Sequence, residues 1–280
     1  MCTHSLFMPQ HAKKQCRRRF LRKRRNMLVD THAHLQWASF DRDREEVVDR
    51  ARRVDVKHIV NIGFDLNGSR KAIELAKKHR GLYATVGVHP HNASQVNEAV
   101  VERLARLSED LKVVAIGEIG LDYHRNLSPR EAQKKAFEAQ LFLAEKLGLP
   151  VAIHDREAHA DILKMLSKFK GKIKGVMHCF SGSREMAEQC VKFGFYISFA
   201  GPVTFSNSHK LQQIVKGIDL DKILLETDSP WLAPQNMRGK RNEPAYLPFI
   251  AEKIADLKRI PIDALAETTT KNAKEIFQFS

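Results

Sequence analysis

The sequence predicts a single α/β domain, a (β/α)8 TIM barrel finished by C-terminal helices. Three observations predict it: eight short apolar runs bounded by Gly or Pro, amphipathic stretches between them, and no linker-like gap after Met27. Buried parallel strands read as continuous apolar runs because helices cover the sheet that they form.

The runs fall at 27–34, 56–63, 82–89, 113–120, 150–154, 175–180, 195–201 and 223–228. Helical segments lie between them, such as 41–53, 68–80, 129–147 and 183–193, and 244–257 and 262–278 close the chain. Ser128 stands where an N-cap belongs, ahead of Pro129 at the first helical position and Glu131 in the first turn. An open doubly wound sheet shares this alternation. No Gly-rich dinucleotide loop or P-loop follows any run, which favours the barrel.

At 280 residues, with 43% hydrophobic and 29% charged residues, the composition is globular. No apolar run approaches the roughly 20 residues that span a bilayer, so no membrane partner is expected. The net charge of +14 is unevenly placed: residues 1–26 hold nine Lys or Arg and no acid, leaving +5 for the remainder. Residues 1–26 therefore read as a basic, disordered leader, a separate unit from 27–280. Arg17 to Arg22 resembles a twin-arginine export signal but lacks the apolar stretch that should follow. The leader is also Arg-rich and acid-free like a transit peptide, and translation from Met27 would remove it altogether. Cys2, Cys16, Cys179 and Cys190 show no CxxC spacing, which fits a reducing, cytoplasmic setting.

The chemistry lies where the apolar runs end. In a barrel, catalytic groups occupy the C-terminal ends of strands. Here those ends carry His32 and His34, Glu118, His154, His178 and Asp228. His32 and His34 are two apart and so share one face of a strand. Packing gives five apolar strands no reason to end in His, Glu or Asp; metal binding does. Six ligands exceed the needs of one tetrahedral ion and suit two, with a shared carboxylate between them. Mg2+, Mn2+ and Zn2+ all accept such a mixed set, and no organic cofactor is needed. Asp228 can hold metal and also take a proton from an attacking water, which makes it the candidate general base.

Around this set, Glu226 is placed to orient a ligating His, two residues before Asp228. His89 is a candidate for substrate phosphate, with His91 beside it, and Asp122 and Tyr123 line the same rim. The loop after Asp228 offers Arg238, Lys240 and Arg241, of which Arg241 is the candidate phosphate contact. Trp231 either stacks a base or packs under that loop. Cys179 should point away from the site by strand alternation, and His124 and His159 read as surface residues.

The blocks Val29–Leu35, Gly87–His91, Gly117–Tyr123, Ile153-His154, Met177–Gly182 and Leu225–Pro234 resemble, in order, those of the TatD-type deoxyribonucleases, amidohydrolase-like metal-dependent hydrolases. The resemblance runs from Met27 to the C-terminus and does not include the leader. It implies a divalent-metal-dependent hydrolase domain over 27–280 that cleaves DNA, or RNA, as a 3′→5′ exonuclease. It further implies that His32, His34 and Asp228 hold one ion, that His154 and His178 hold the other, and that Glu118 bridges them. No obligatory protein partner is evident.

Two other readings share these residues. The same metals would serve an aminoacyl ester, amide or lactone, although strand 4 ends in Glu118 and not in the Lys of carbamylated-lysine hydrolases. A nucleic-acid-binding scaffold would not need the full ligand set.

Overall fold

A computed structural model describes residues 27–279. The leader expected at 1–26 lies outside the described residues. Eight strands form one parallel sheet in sequence order: β1 (Leu28–Ala33), β2 (Val56–Asn61), β3 (Leu82–Val86), β4 (Val113–Asp122), β5 (Val151–Arg156), β6 (Gly175–Met177), β7 (Phe195–Phe199) and β8 (Ile223–Leu225). The helices between them are α1 (Arg44–Arg53), α2 (Leu66–Lys78), α3 (Glu98–Leu107), α4 (Arg130–Leu147), α5 (His159–Ser167), α6 (Arg184–Lys192) and α7 (His209–Gly217). Two more, α8 (Leu247–Lys258) and α9 (Ile262–Phe277), end the chain. The predicted barrel is the observed one.

The strands divide their side chains between two packings. Val29, Val60, Ile62, Val114, Val176, Tyr196 and Leu224 pack together with Ala273, Ile276, Phe277 and Phe279 from the chain end. Their alternate neighbours, such as Leu28, Ile59, Val113 and Ile223, join the larger core that the helices cover. The C-terminal segment therefore plugs the floor of the barrel, and Phe279 stacks on Tyr83 at 4.4 Å. That leaves the opposite end, where the strands finish, for chemistry.

The barrel closes at a narrow seam. β8 meets β1 through one bridge, Ala33 to Ser229. His34 N–H donates to Ser229 O at 2.8 Å, and Asp228 N–H donates to His32 O at 2.8 Å. Asp30, fully buried, reinforces the seam: Oδ1 accepts from Thr227 N–H (2.9 Å) and Oδ2 from Thr227 Oγ1 (2.6 Å).

Ser128 does not cap α4. The residue before that helix is Pro129, and the Ser128 hydroxyl instead donates to His91 O (2.9 Å) and accepts from Ser94 N–H (3.2 Å). The loop after β3 claims the hydroxyl that local patterning assigns to the helix. Side-chain caps do occur at Asp65 for α2, Asn97 for α3 and Ser183 for α6.

Gly120 in β4 has φ 145°, and a Cβ there would stand 2.0 Å from His154 O. Gly120→Ala is expected to cost about 3 kcal/mol, a Tm lower by roughly 6–12 °C in a domain of this size. A thermal melt within 2 °C of the parent, by the scale of about 2–4 °C per kcal/mol, would show that the two strands can part freely.

Candidate metal centre

Each predicted ligand leaves the end of a strand or the first residues beyond it. Two irregularities of register bear on their aim. The pairing of β1 with β2 shifts between Asp30 and Ala33, and that of β4 with β5 between Ile116 and Ile119. His32 and Glu118 lie in these two interruptions, a device that re-aims a side chain out of the regular pleat.

The first group gathers around one oxygen of Glu118. His32 Nε2 and His34 Nε2 are 3.1 Å apart, and they stand 3.5 and 3.6 Å from Glu118 Oε2. Asp228 Oδ1 lies 3.8 Å from the former and 3.7 Å from the latter. Four donors about 2.1 Å from a tetrahedral ion stand about 3.4 Å apart, so this spread fits one cation. His34 Nδ1 donates to Ile62 O at 3.2 Å, which leaves the lone pair of Nε2 for a metal.

The second group gathers around the other oxygen. His154 Nδ1 is 2.8 Å and His178 Nε2 3.3 Å from Glu118 Oε1. The remaining nitrogens of these rings face carboxylates: His178 Nδ1 is 3.0 Å from Glu226 Oε1, and His154 Nε2 is 3.3 Å from Asp122 Oδ2. Glu226 Oε1 also accepts from Cys179 N–H at 2.6 Å, and Asp122 Oδ2 meets His91 Nε2 at 2.8 Å. Each carboxylate thus holds its imidazole with the opposite nitrogen turned toward Glu118.

Electrostatics follow from this crowding. Burial opposes the charge on Glu118, yet His89, His178 and His154 outweigh it and hold the carboxyl well below its ordinary range. Burial likewise opposes a cationic His178, but Glu226 and Glu118 carry it well above 6.5. His154 is raised too, against burial, by Asp122 and Glu118. Burial, with His32 beside it, pushes His34 down to about 3. A cation held by the second group would compete with these protons.

His89 stands against this second group, its Nε2 3.5 Å from Glu118 Oε1. Its Nδ1 accepts from His91 N–H at 3.1 Å, so the neutral ring carries its hydrogen on Nε2. Burial pushes the ring well below 6.5, against the pull of Glu118. In this tautomer Nε2–H is a donor, while the ring also belongs to a group of possible metal ligands with Glu118 and His154.

Other predicted contacts lie elsewhere. Tyr123 donates to Asp161 Oδ2 at 2.5 Å beneath the Arg130 guanidinium, turned toward α4 and α5. Arg241 forks onto Asp43 (2.8 and 2.7 Å) and lies over Phe40 at 4.5 Å. It pins its loop to the start of α1. His124 and His159 pair with Glu157 (2.7 Å) and Asp155 (2.9 Å) at the surface. Alternation does not govern Cys179, because β6 has ended and the residue takes a left-handed backbone, φ 43°. Asp30 and the Asp122–His91 pair carry more of the architecture than sequence reading assigned them. Their signal was an acid two residues before His32 and another four after Glu118, both on a ligand-bearing strand.

The chain is similar to known proteins along nearly all of its described length. The family described as TatD related DNase matches residues 29–278. The chain is 45% identical over 255 residues to the "uncharacterized metal-dependent hydrolase YabD" of Bacillus subtilis, covering 91% of this chain and all of that protein. It is 40% identical over 257 residues to the "3'-5' ssDNA/RNA exonuclease TatD" of Erwinia amylovora, covering 89% and 99% of the two chains. Among solved structures, the TatD homologue YJJV of Escherichia coli superposes with a TM-score of 0.85 at 30% identity, covering 90% and 98%.

Proposed function

We propose, on the premise that this chain belongs to the TatD-related DNase family, that it is a two-metal phosphodiesterase that degrades single-stranded DNA or RNA from the 3′ end. The family relationship makes it a metal-dependent hydrolase; the nucleic-acid substrate and the polarity are our reading. One observation carries it: the two oxygens of Glu118 face two separate imidazole pairs, as a bridging carboxylate requires. The printed name of the relative from Erwinia amylovora supports the substrate and its polarity.

Two divalent cations, Mg2+, Mn2+ or Zn2+, held by His32, His34 and Asp228 and by His154 and His178, with Glu118 shared, would polarise the phosphodiester and ready a water for attack. The chain's own groups do the rest. Burial pushes the Asp228 carboxyl up to about 6, against the pull of His178 and His32. A carboxylate of that basicity takes a proton from the attacking water near neutral pH. His89 offers its Nε2–H to a phosphate oxygen as negative charge builds there. Glu226 and Asp122 keep the imidazoles of the second group in register. The cytoplasm fits the free thiols of Cys179 and Cys190. Among the described residues, no helix is long and apolar enough to cross a membrane.

Single-stranded oligonucleotides labelled at the 5′ end test the reading. With Mg2+ or Mn2+ they should shorten stepwise from the 3′ end, and EDTA should stop the reaction. Intact DNA and RNA beside hydrolysis of an ester or lactone would assign the centre to carbonyl chemistry. The pH profile gives a further check. The base must be deprotonated to act, so kcat/KM falls on the acid side, with an apparent pKa no higher than about 6. A bound cation can only draw it lower. An acid limb centred at 7 or above would place the base elsewhere.

A further inference from the structure

One wall of the metal centre's mouth is aromatic. The chain has two tryptophans, and both stand there: Trp37, just past His34, and Trp231, three residues after Asp228. Their rings meet edge to face, centroids 5.1 Å apart at 67°. Trp37 also leans on Phe64 at 5.2 Å, and the Trp231 ring lies 5.1 Å from that of His34. Even so, 38% of Trp37 and 42% of Trp231 remain open to solvent, and Leu232 beside them is equally exposed at 38%. Apolar side chains exposed singly are ordinary, but a contiguous patch against a reactive centre marks a binding surface.

The wall is rigid as well as exposed. Buried Asn242 donates through Nδ2 to Trp231 O (2.6 Å) and Thr227 O (2.8 Å). Leu232 O packs so closely on Gly201 that a Cβ there would stand 1.8 Å away. Arg241 of this loop is joined to Asp43, so its guanidinium is already engaged. Beside it the two indole rings offer flat π surface at the mouth.

We infer that Trp37 and Trp231 form a stacking shelf for the nucleobase next to the scissile phosphodiester. The inference rests on the phosphodiesterase reading above. With the phosphate at the Glu118 centre, its neighbouring base lies one sugar away, and the Trp231 ring stands 5.1 Å from that of His34 beside that centre. Tryptophan faces accept any base, since every base has a π face, so the shelf gives grip without a sequence code. A base can reach it only when unpaired, and duplex ends must first fray. The substrate class is thus single-stranded nucleic acid or a frayed end.

The test compares full-length, metal-loaded enzyme with Trp37→Ala, Trp231→Ala and the corresponding Phe variants on a single-stranded oligonucleotide. Each Ala variant should raise KM by about 5- to 150-fold with a much smaller change in kcat, while Phe restores most of the loss. Oligonucleotides with a baseless sugar at the terminal or the penultimate position locate the contact. At one of these positions the parent should fall to the level of Trp231→Ala, and the variant should lose nothing more. Loss of equal size with and without the base would make the tryptophans merely structural. Binding gives an independent readout: tryptophan emission of Asp228→Asn should be quenched as a labelled oligonucleotide binds by anisotropy. Binding without quenching overturns the shelf. If the parent cuts no DNA or RNA, the phosphodiesterase reading falls and the shelf with it. If the parent cuts and all four variants match it within twofold, the shelf alone falls.

Discussion

Asp228→Asn should lower kcat by about 10³-fold, the middle of the range for a positioned acid or base, and leave the barrel folded. The amide keeps the shape of the carboxylate but accepts no proton and brings no charge to the first group of ligands. The choice of Asn follows from the backbone. Asp228 sits at φ 55°, a left-handed conformation that Asn tolerates better than almost any residue with a side chain. Alanine there would confound chemistry with strain. The measurement is single-turnover hydrolysis at saturating metal, beside a thermal melt. Residual activity above a tenth of the parent's, with an unchanged melt, would remove Asp228 from proton transfer.

Glu118→Gln should have the second large effect, on metal content as well as rate. Glu118 is buried at 4% exposure, with Oε2 turned to His32 and His34 and Oε1 to His154, His178 and His89. A single amide cannot serve two cations, so metal per chain after dialysis should fall from two to one or none. Loss of orienting partners alone costs about 10- to 100-fold in metal affinity, and a shared ligand should cost more. Two retained ions would deny the bridge. The variant should also alter how the metal-free protein responds to acid. The folded-state pKa of Glu118 is depressed, so its contribution is present above the ordinary value of 4.5 and is lost as pH falls through the lower folded value. His178 works in the other sense: raised in the fold, it contributes fully below 6.5 and loses that contribution as pH rises through its folded value. Between those limits the pair stabilises the metal-free barrel, and Gln at position 118 should lower that plateau in a series of melts, with Glu226 still sustaining His178.

Much of this was legible because strand ends are legible. Apolar runs that finish in His, Glu or Asp have no packing reason to do so, and the six residues at 32, 34, 118, 154, 178 and 228 all fall, with His89 and Glu226, in the clustered His and carboxylate groups of the structure. What escaped depends on distance in sequence or on backbone detail. Arg241 finds Asp43 across 198 positions, and Ser128 is claimed by His91 rather than by its own helix. The register shifts at His32 and Glu118 leave no mark in residue type, since hydrogen-bond pairing, not composition, makes a bulge. Helices α3, α5 and α7 are not among the stretches named from sequence, although at nine or ten residues each they match α1 and α6, which are.

Through the seam between β1 and β8 the two ends of the domain complete one another. His32 and His34 leave the first strand and Asp228 follows the last, and they meet only where Thr227 binds Asp30, 197 positions away, and the ring of strands shuts. The first group of candidate ligands therefore exists only in the closed barrel, and whatever parts these two strands takes the group apart.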